Sequence, residues 1–75
     1  MSEHEYYKKA KLVINLLMID YANKFKKENY FDLRDYLNTI RYTIEDYEDD
    51  GMDFTEERKK YSILEKKLEG TRRQN

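Results

Sequence analysis

Residues 12–19, Leu-Val-Ile-Asn-Leu-Leu-Met-Ile, constrain the fold more than any other stretch, because their apolar side chains crowd nearly the whole circumference of a helix. With Leu12 at 0° and about 100° per residue, they run from Ile19 at about 340°, through zero, to Met18 at about 240°. Only Lys11 and Asn15 point into the gap. A helix that apolar has to be covered from two directions, by the rest of the chain or by a second copy of it.

Ser2 with Glu5 three residues on reads as a capping box, and neither Gly nor Pro follows for many residues. A first helix is therefore predicted from Glu3 to about Lys27. Its long stripe is Tyr6, Tyr7, Ala10, Val13, Ile14, Leu17, Met18, Tyr21 and Phe25, while Leu12, Leu16 and Ile19 form a second, local patch. Asp32 with Asp35 is the predicted N-cap of a second helix, with Tyr30 and Phe31 folding back as a staple. Its apolar residues, Leu33, Tyr36, Leu37, Ile40, Ile44 and Tyr47, repeat at intervals of three and four, and Gly51 should stop it. Asp53 or Thr55 should cap a third helix carrying Tyr61, Leu64 and Leu68, with Gly70 as its end. Residues 71–75 offer nothing to pack and read as a flexible basic tail, leaving 1–70 as a single helical domain.

Three helices of roughly 25, 18 and 14 residues with short links fit an all-α fold, a small three-helix antiparallel bundle. Helix 1 would give its long stripe to helix 2 and its Leu12 patch to helix 3. A patch buried in this way would make Leu16→Ala cost about 2–5 kcal/mol. Because the third helix is short, the alternative is a helical hairpin that dimerises through Leu12, Leu16 and Ile19, giving a homodimer.

At 75 residues the chain is one domain whose core must hold by packing alone, since the absence of Cys excludes disulfides and thiolate zinc sites. The apolar stretch is far shorter than the roughly 20 residues of a membrane helix, and the first residues are polar and acidic rather than signal-like. The expected location is the cytoplasm, with no membrane partner. Phe, Tyr, Met, Ile, Asn and Lys together number 34 against nine for Gly, Ala, Arg and Pro, which points to an AT-rich gene, in a low-GC bacterium or one of its phages. Charge is segregated: residues 1–27 carry six basic and three acidic side chains, 28–57 two and eleven, and 58–75 seven and two. A net charge of −1 hides an acidic middle between two basic flanks.

Catalysis needs a nucleophile, a base or a metal site, and the chain has one His, His4, no Cys, and Ser only at 2 and 62. The expectation is a non-enzymatic protein with no catalytic residue, no cofactor and no metal. Residues 46–57 resemble the loop of an EF-hand, with acids Asp46, Glu48, Asp50 and Glu57 at loop positions 1, 3, 5 and 12 and Gly51 at 6. The resemblance implies calcium ligation by those acids. The stretch departs from the family at Glu48, which is longer than the usual Asp or Asn, and at Asp53, which stands where an apolar residue belongs. Glu45 and Arg58 also flank the loop where EF-hand helices are apolar. An acidic helix end and turn is the expected structure.

Basic ends and interleaved Tyr raise nucleic-acid binding, but most Tyr lie on apolar stripes, the acidic middle repels phosphate, and Arg72 and Arg73 alone give weak, salt-sensitive contacts. Direct nucleic-acid binding is therefore disfavoured. What remains is the outer face of helix 2. With Leu33 at 0°, Asp35, Tyr42, Glu45, Asp46 and Asp49 fall between about 120° and 220°, opposite the core stripe. Tyr42 has no folding role there, and Tyr is a residue that anchors interfaces. The expected function is a protein-binding module: a regulator or inhibitor of a larger bacterial protein, encoded by a phage or mobile element. It would use this acidic face, in the manner of a nucleic-acid mimic, to occlude a basic surface. The alternatives are a structural homo-oligomer or scaffold piece, and a nucleic-acid-binding regulator acting through the basic helix ends and tail.

Overall fold

Without proline, and with only two glycines, the chain can break its helices at few places. In the computed structural model, which describes residues 3–73, it forms α1 (Glu3–Lys24), α2 (Tyr30–Asp49) and α3 (Thr55–Arg73). Successive helices run antiparallel. Tyr6 meets Tyr47 at one end of the α1–α2 seam and Tyr21 meets Tyr36 at the other, with ring centroids 6.2 Å apart in both pairs. Across α2 and α3, Arg34 pairs with Glu65 and Glu69 while Glu48 pairs with Arg58. α1 and α3 are consequently parallel, with Lys11 beside Glu57 and Asn15 beside Lys60. The sequence-derived three-helix antiparallel bundle is the observed fold.

The core is built from one stripe of each helix: Ala10, Ile14, Met18 and Tyr21 of α1, Leu33, Leu37, Ile40 and Ile44 of α2, and Tyr61 and Leu68 of α3. The link between α2 and α3 adds Phe54, which is 1% exposed and stacks on Tyr47 with centroids 5.6 Å apart. Gly51 ends α2 with φ +90°, a conformation costly for a residue with a Cβ, and its N–H donates to the Glu48 carbonyl at 2.9 Å. Asp53 then accepts from the Thr55 N–H at 3.0 Å and the Thr55 hydroxyl at 2.6 Å, which starts α3. Those two bonds hold the Asp53 carboxyl below the usual carboxylate range.

Three boundaries differ from expectation. The cap of α2 is Asn29, whose Oδ1 accepts from the Asp32 N–H at 2.9 Å, so Tyr30 and Phe31 are inside the helix rather than before it. α1 accordingly closes at Lys24, whose carbonyl accepts from the N–H groups of Lys27 and Glu28. α3 passes through Gly70 to Arg73, because Leu68 and Glu69 are tied into the bundle and the Thr71 hydroxyl donates to the Leu68 carbonyl at 2.7 Å. Thr71 and the backbone of 72 and 73 are thus helix, not tail. Ser2, the proposed start of the capping box, and residues 74 and 75 lie outside the described residues.

The Leu12 patch is not core. Leu12, Leu16 and Ile19 are 58%, 55% and 59% exposed. Both other helices pack on the same half of α1, α2 along the Tyr6–Leu17 flank and α3 along the Lys11–Asn15 flank, so the outward third of α1 faces solvent. α3 does not cover it.

Candidate interaction faces

α2 positions the acidic face by its own periodicity. Leu33, Leu37, Ile40 and Ile44 turn inward, and the half-turn between them turns Asp35, Tyr42, Asp46 and Asp49 outward. Asp35, Tyr42 and Asp49 stand two turns apart, about 10.5 Å each along the axis, on one line. All four are exposed, Tyr42 to 56%. Glu45 belongs to the flank rather than the crest: it is half-buried, 3.9 Å from Arg41 Nε. That distance makes an ion pair but exceeds a hydrogen bond.

Arg41 is the residue that sequence reasoning missed. Its guanidinium lies 5.2 Å from the Tyr42 ring centroid and is also paired with Glu45, so the phenol is braced by a neighbour that helical spacing would not bring to it. The Arg41–Glu45 spacing of four was the available signal. Asp35, Asp46 and Asp49 form no ion pair among the described residues. The face therefore presents one braced aromatic ring among unneutralised carboxylates.

The acids of residues 46–57 do not converge. Asp46 and Glu48 lie on α2, and Glu48 accepts from Arg58 Nε at 2.8 Å, which holds its carboxyl below the usual range. Glu57 is buried on the far side, 3.7 Å from Lys11 and 3.5 Å from the Asn15 amide. Burial works against the Lys11 charge, but Glu57, Tyr7 and Asp53 together outweigh it and the lysine stays raised. Among the described residues no group of three or more His, Cys, Asp or Glu could hold a metal ion, and His4 is an exposed residue of the first turn of α1.

A second face lies between α1 and α3. Ile19 and Ile63 stand on either side of a shallow groove floored by Met18 and Leu64, with Asn15 and Lys60 at one end. Ile63 is 65% exposed and was missed as well, being an isoleucine off the Tyr61–Leu64–Leu68 stripe among Lys and Glu. Leu12 and Leu16, on the same outward side of α1, extend this apolar surface. Comparison with family models, with curated proteins and with solved structures gives no match, so these two faces are interpreted from their own chemistry.

Proposed function

We propose that this chain is a small, non-enzymatic protein-binding module that regulates or inhibits a larger bacterial protein by occluding a basic surface on it. The residue usage fits a gene of an AT-rich bacterium or phage. The observation that supports this reading is Tyr42, exposed and braced by Arg41 amid Asp35, Asp46 and Asp49, which form no ion pair among the described residues. Unneutralised carboxylates steer a basic partner and set the association rate, whereas a ring desolvated at the centre of a contact slows dissociation. Nothing in this mode requires catalysis or a cofactor; binding excludes whatever else the basic surface would engage.

The test uses affinity capture from the host with the parent protein as bait, followed by kinetics on the captured partner. Asp46→Asn and Asp49→Asn are expected to lower the on-rate and flatten its salt dependence. Tyr42→Ala is expected to raise the off-rate and cost about 2 kcal/mol or more of binding. A partner that binds all three variants with the parent's kinetics would refute the assignment of this face.

A further inference from the structure

The two faces are complementary to each other. Three helices packed as a triangle put the outward side of α2 opposite the α1–α3 edge, so the acidic Tyr42 face and the apolar groove lie on opposite sides of the bundle. Their charges are opposite as well. By sequence α2 carries six acids against two bases, and α3 seven bases against four acids. Lys60 lines the groove and donates to Asn15 Oδ1 at 3.1 Å.

Dimension agrees with charge. Tyr42 is a single aromatic knob, with Asp46 about 6 Å and Asp35 and Asp49 about 10.5 Å away along α2. The groove between Ile19 and Ile63 has an apolar floor, with Lys60 and Lys67 each about one helical turn from Ile63. A symmetric pairing through the grooves would set lysines against lysines, and one through α2 would set carboxylates against carboxylates. Only the unlike faces match. With a net charge of −1 there is little overall repulsion to keep copies apart.

We propose that copies of this chain associate head to tail, Tyr42 of one seating in the α1–α3 groove of the next. Because donor and acceptor faces are opposed, the contact does not close at two copies and extends into a row. This deepens the preceding reading, since it takes the Tyr42 face as a binding surface and names a basic partner surface for it. Binding to other molecules of this chain would then compete with binding to the larger protein, and dilution would free the face.

Sedimentation velocity over a range from low micromolar to millimolar, at low and high salt, tests the proposal. The weight-average mass should rise continuously past that of a dimer and fall on adding salt. Asp46→Lys disables the knob and Ile63→Lys the groove, and both positions are exposed, so helix content by circular dichroism should match the parent. Each variant alone should associate at least about tenfold more weakly than the parent. Mixed in equal amounts, they should form a dimer of one copy of each and go no further, because each supplies the face the other lacks. A parent that stays monomeric at every concentration overturns the proposal, and so does a mixture that stays monomeric. An Asp46→Lys protein that still dimerises would show symmetric groove pairing instead. None of these outcomes alters the capture kinetics of Tyr42→Ala on a separate partner, so failure here is distinguishable from failure of the Tyr42 face itself.

Discussion

Ile14 and Leu16 are two residues apart on one helix, yet their truncation should differ several-fold in cost. Ile14 is 0% exposed. Ile14→Ala removes three buried carbons, worth about 0.8 kcal/mol each on transfer, and leaves a cavity, so about 3–4 kcal/mol is expected. That is a large share of the stability of so small a domain. Leu16 is 55% exposed, so less than half of the same transfer is lost, water fills the space, and alanine's better helix propensity returns a few tenths; about 1 kcal/mol remains. The estimate of 2–5 kcal/mol drawn from the sequence assumed a buried Leu16. Urea unfolding followed by circular dichroism at the lowest workable concentration measures both. If Leu16→Ala costs as much as Ile14→Ala at that dilution, α1 is enclosed on its outer side and the arrangement of helices described above is wrong. At high concentration the cost of Leu16→Ala should grow, since association would bury the residue, while that of Ile14→Ala should not.

Two pH effects follow from shifted groups. Arg58 holds the Glu48 carboxyl below its usual value near 4.5, so the pair's contribution is present above that pH and lost as pH falls through the lowered folded value. Glu48→Gln should thus lower the thermal midpoint at neutral pH, and its gap from the parent should shrink as pH falls below about 4.5, whereas a gap that stays constant on acidification would refute the pairing. At the alkaline end, burial pushes the Tyr21 and Tyr36 phenols up to about 12, with the Asp20 carboxylate adding to the effect on Tyr36 through a 2.6 Å hydrogen bond. Neutral phenols are favoured by the fold, so their contribution is complete below about pH 10 and disappears between about 10 and 12. Ultraviolet titration should show these two ionising together with loss of helix; their ionisation before any helix is lost would contradict it.

Helix 2 was readable because its inward residues, its Gly51 stop and its outward acids follow one period with little ambiguity. Helix 1 misled because periodicity measures how much apolar surface a helix carries and says nothing of whether a neighbour covers it. Leu12, Leu16 and Ile19 are as apolar as Ala10, Ile14 and Met18, and only the positions of α2 and α3 separate the two groups. Asn29 and Asp32 are both competent caps three residues apart, and Asn29 prevails by taking the Asp32 N–H. Gly70 is a stop signal only when the chain turns there, and α3 is fastened on both sides of it. Phe54 escaped notice because a core residue in a link has no helical period; its aromatic ring between Asp53 and Thr55 was the one available sign. On the candidate face, the exposure of Asp35, Tyr42, Asp46 and Asp49 was legible, but the bracing of Tyr42 by its chain neighbour was not.

The buried carboxylate of Glu57 bears on the hand of the bundle. A helical hairpin formed by α1 and α2 can receive a third helix on either flank, giving two mirror-related topologies with nearly the same apolar contacts. On the Lys11–Asn15 flank, Glu57 finds an ammonium and an amide; on the Val13–Leu17 flank it would meet hydrocarbon at the same height. A carboxylate without a partner in hydrocarbon is costly, so this one side chain favours the observed hand. Replacing Glu57 with leucine would remove that bias between the two ways to wind.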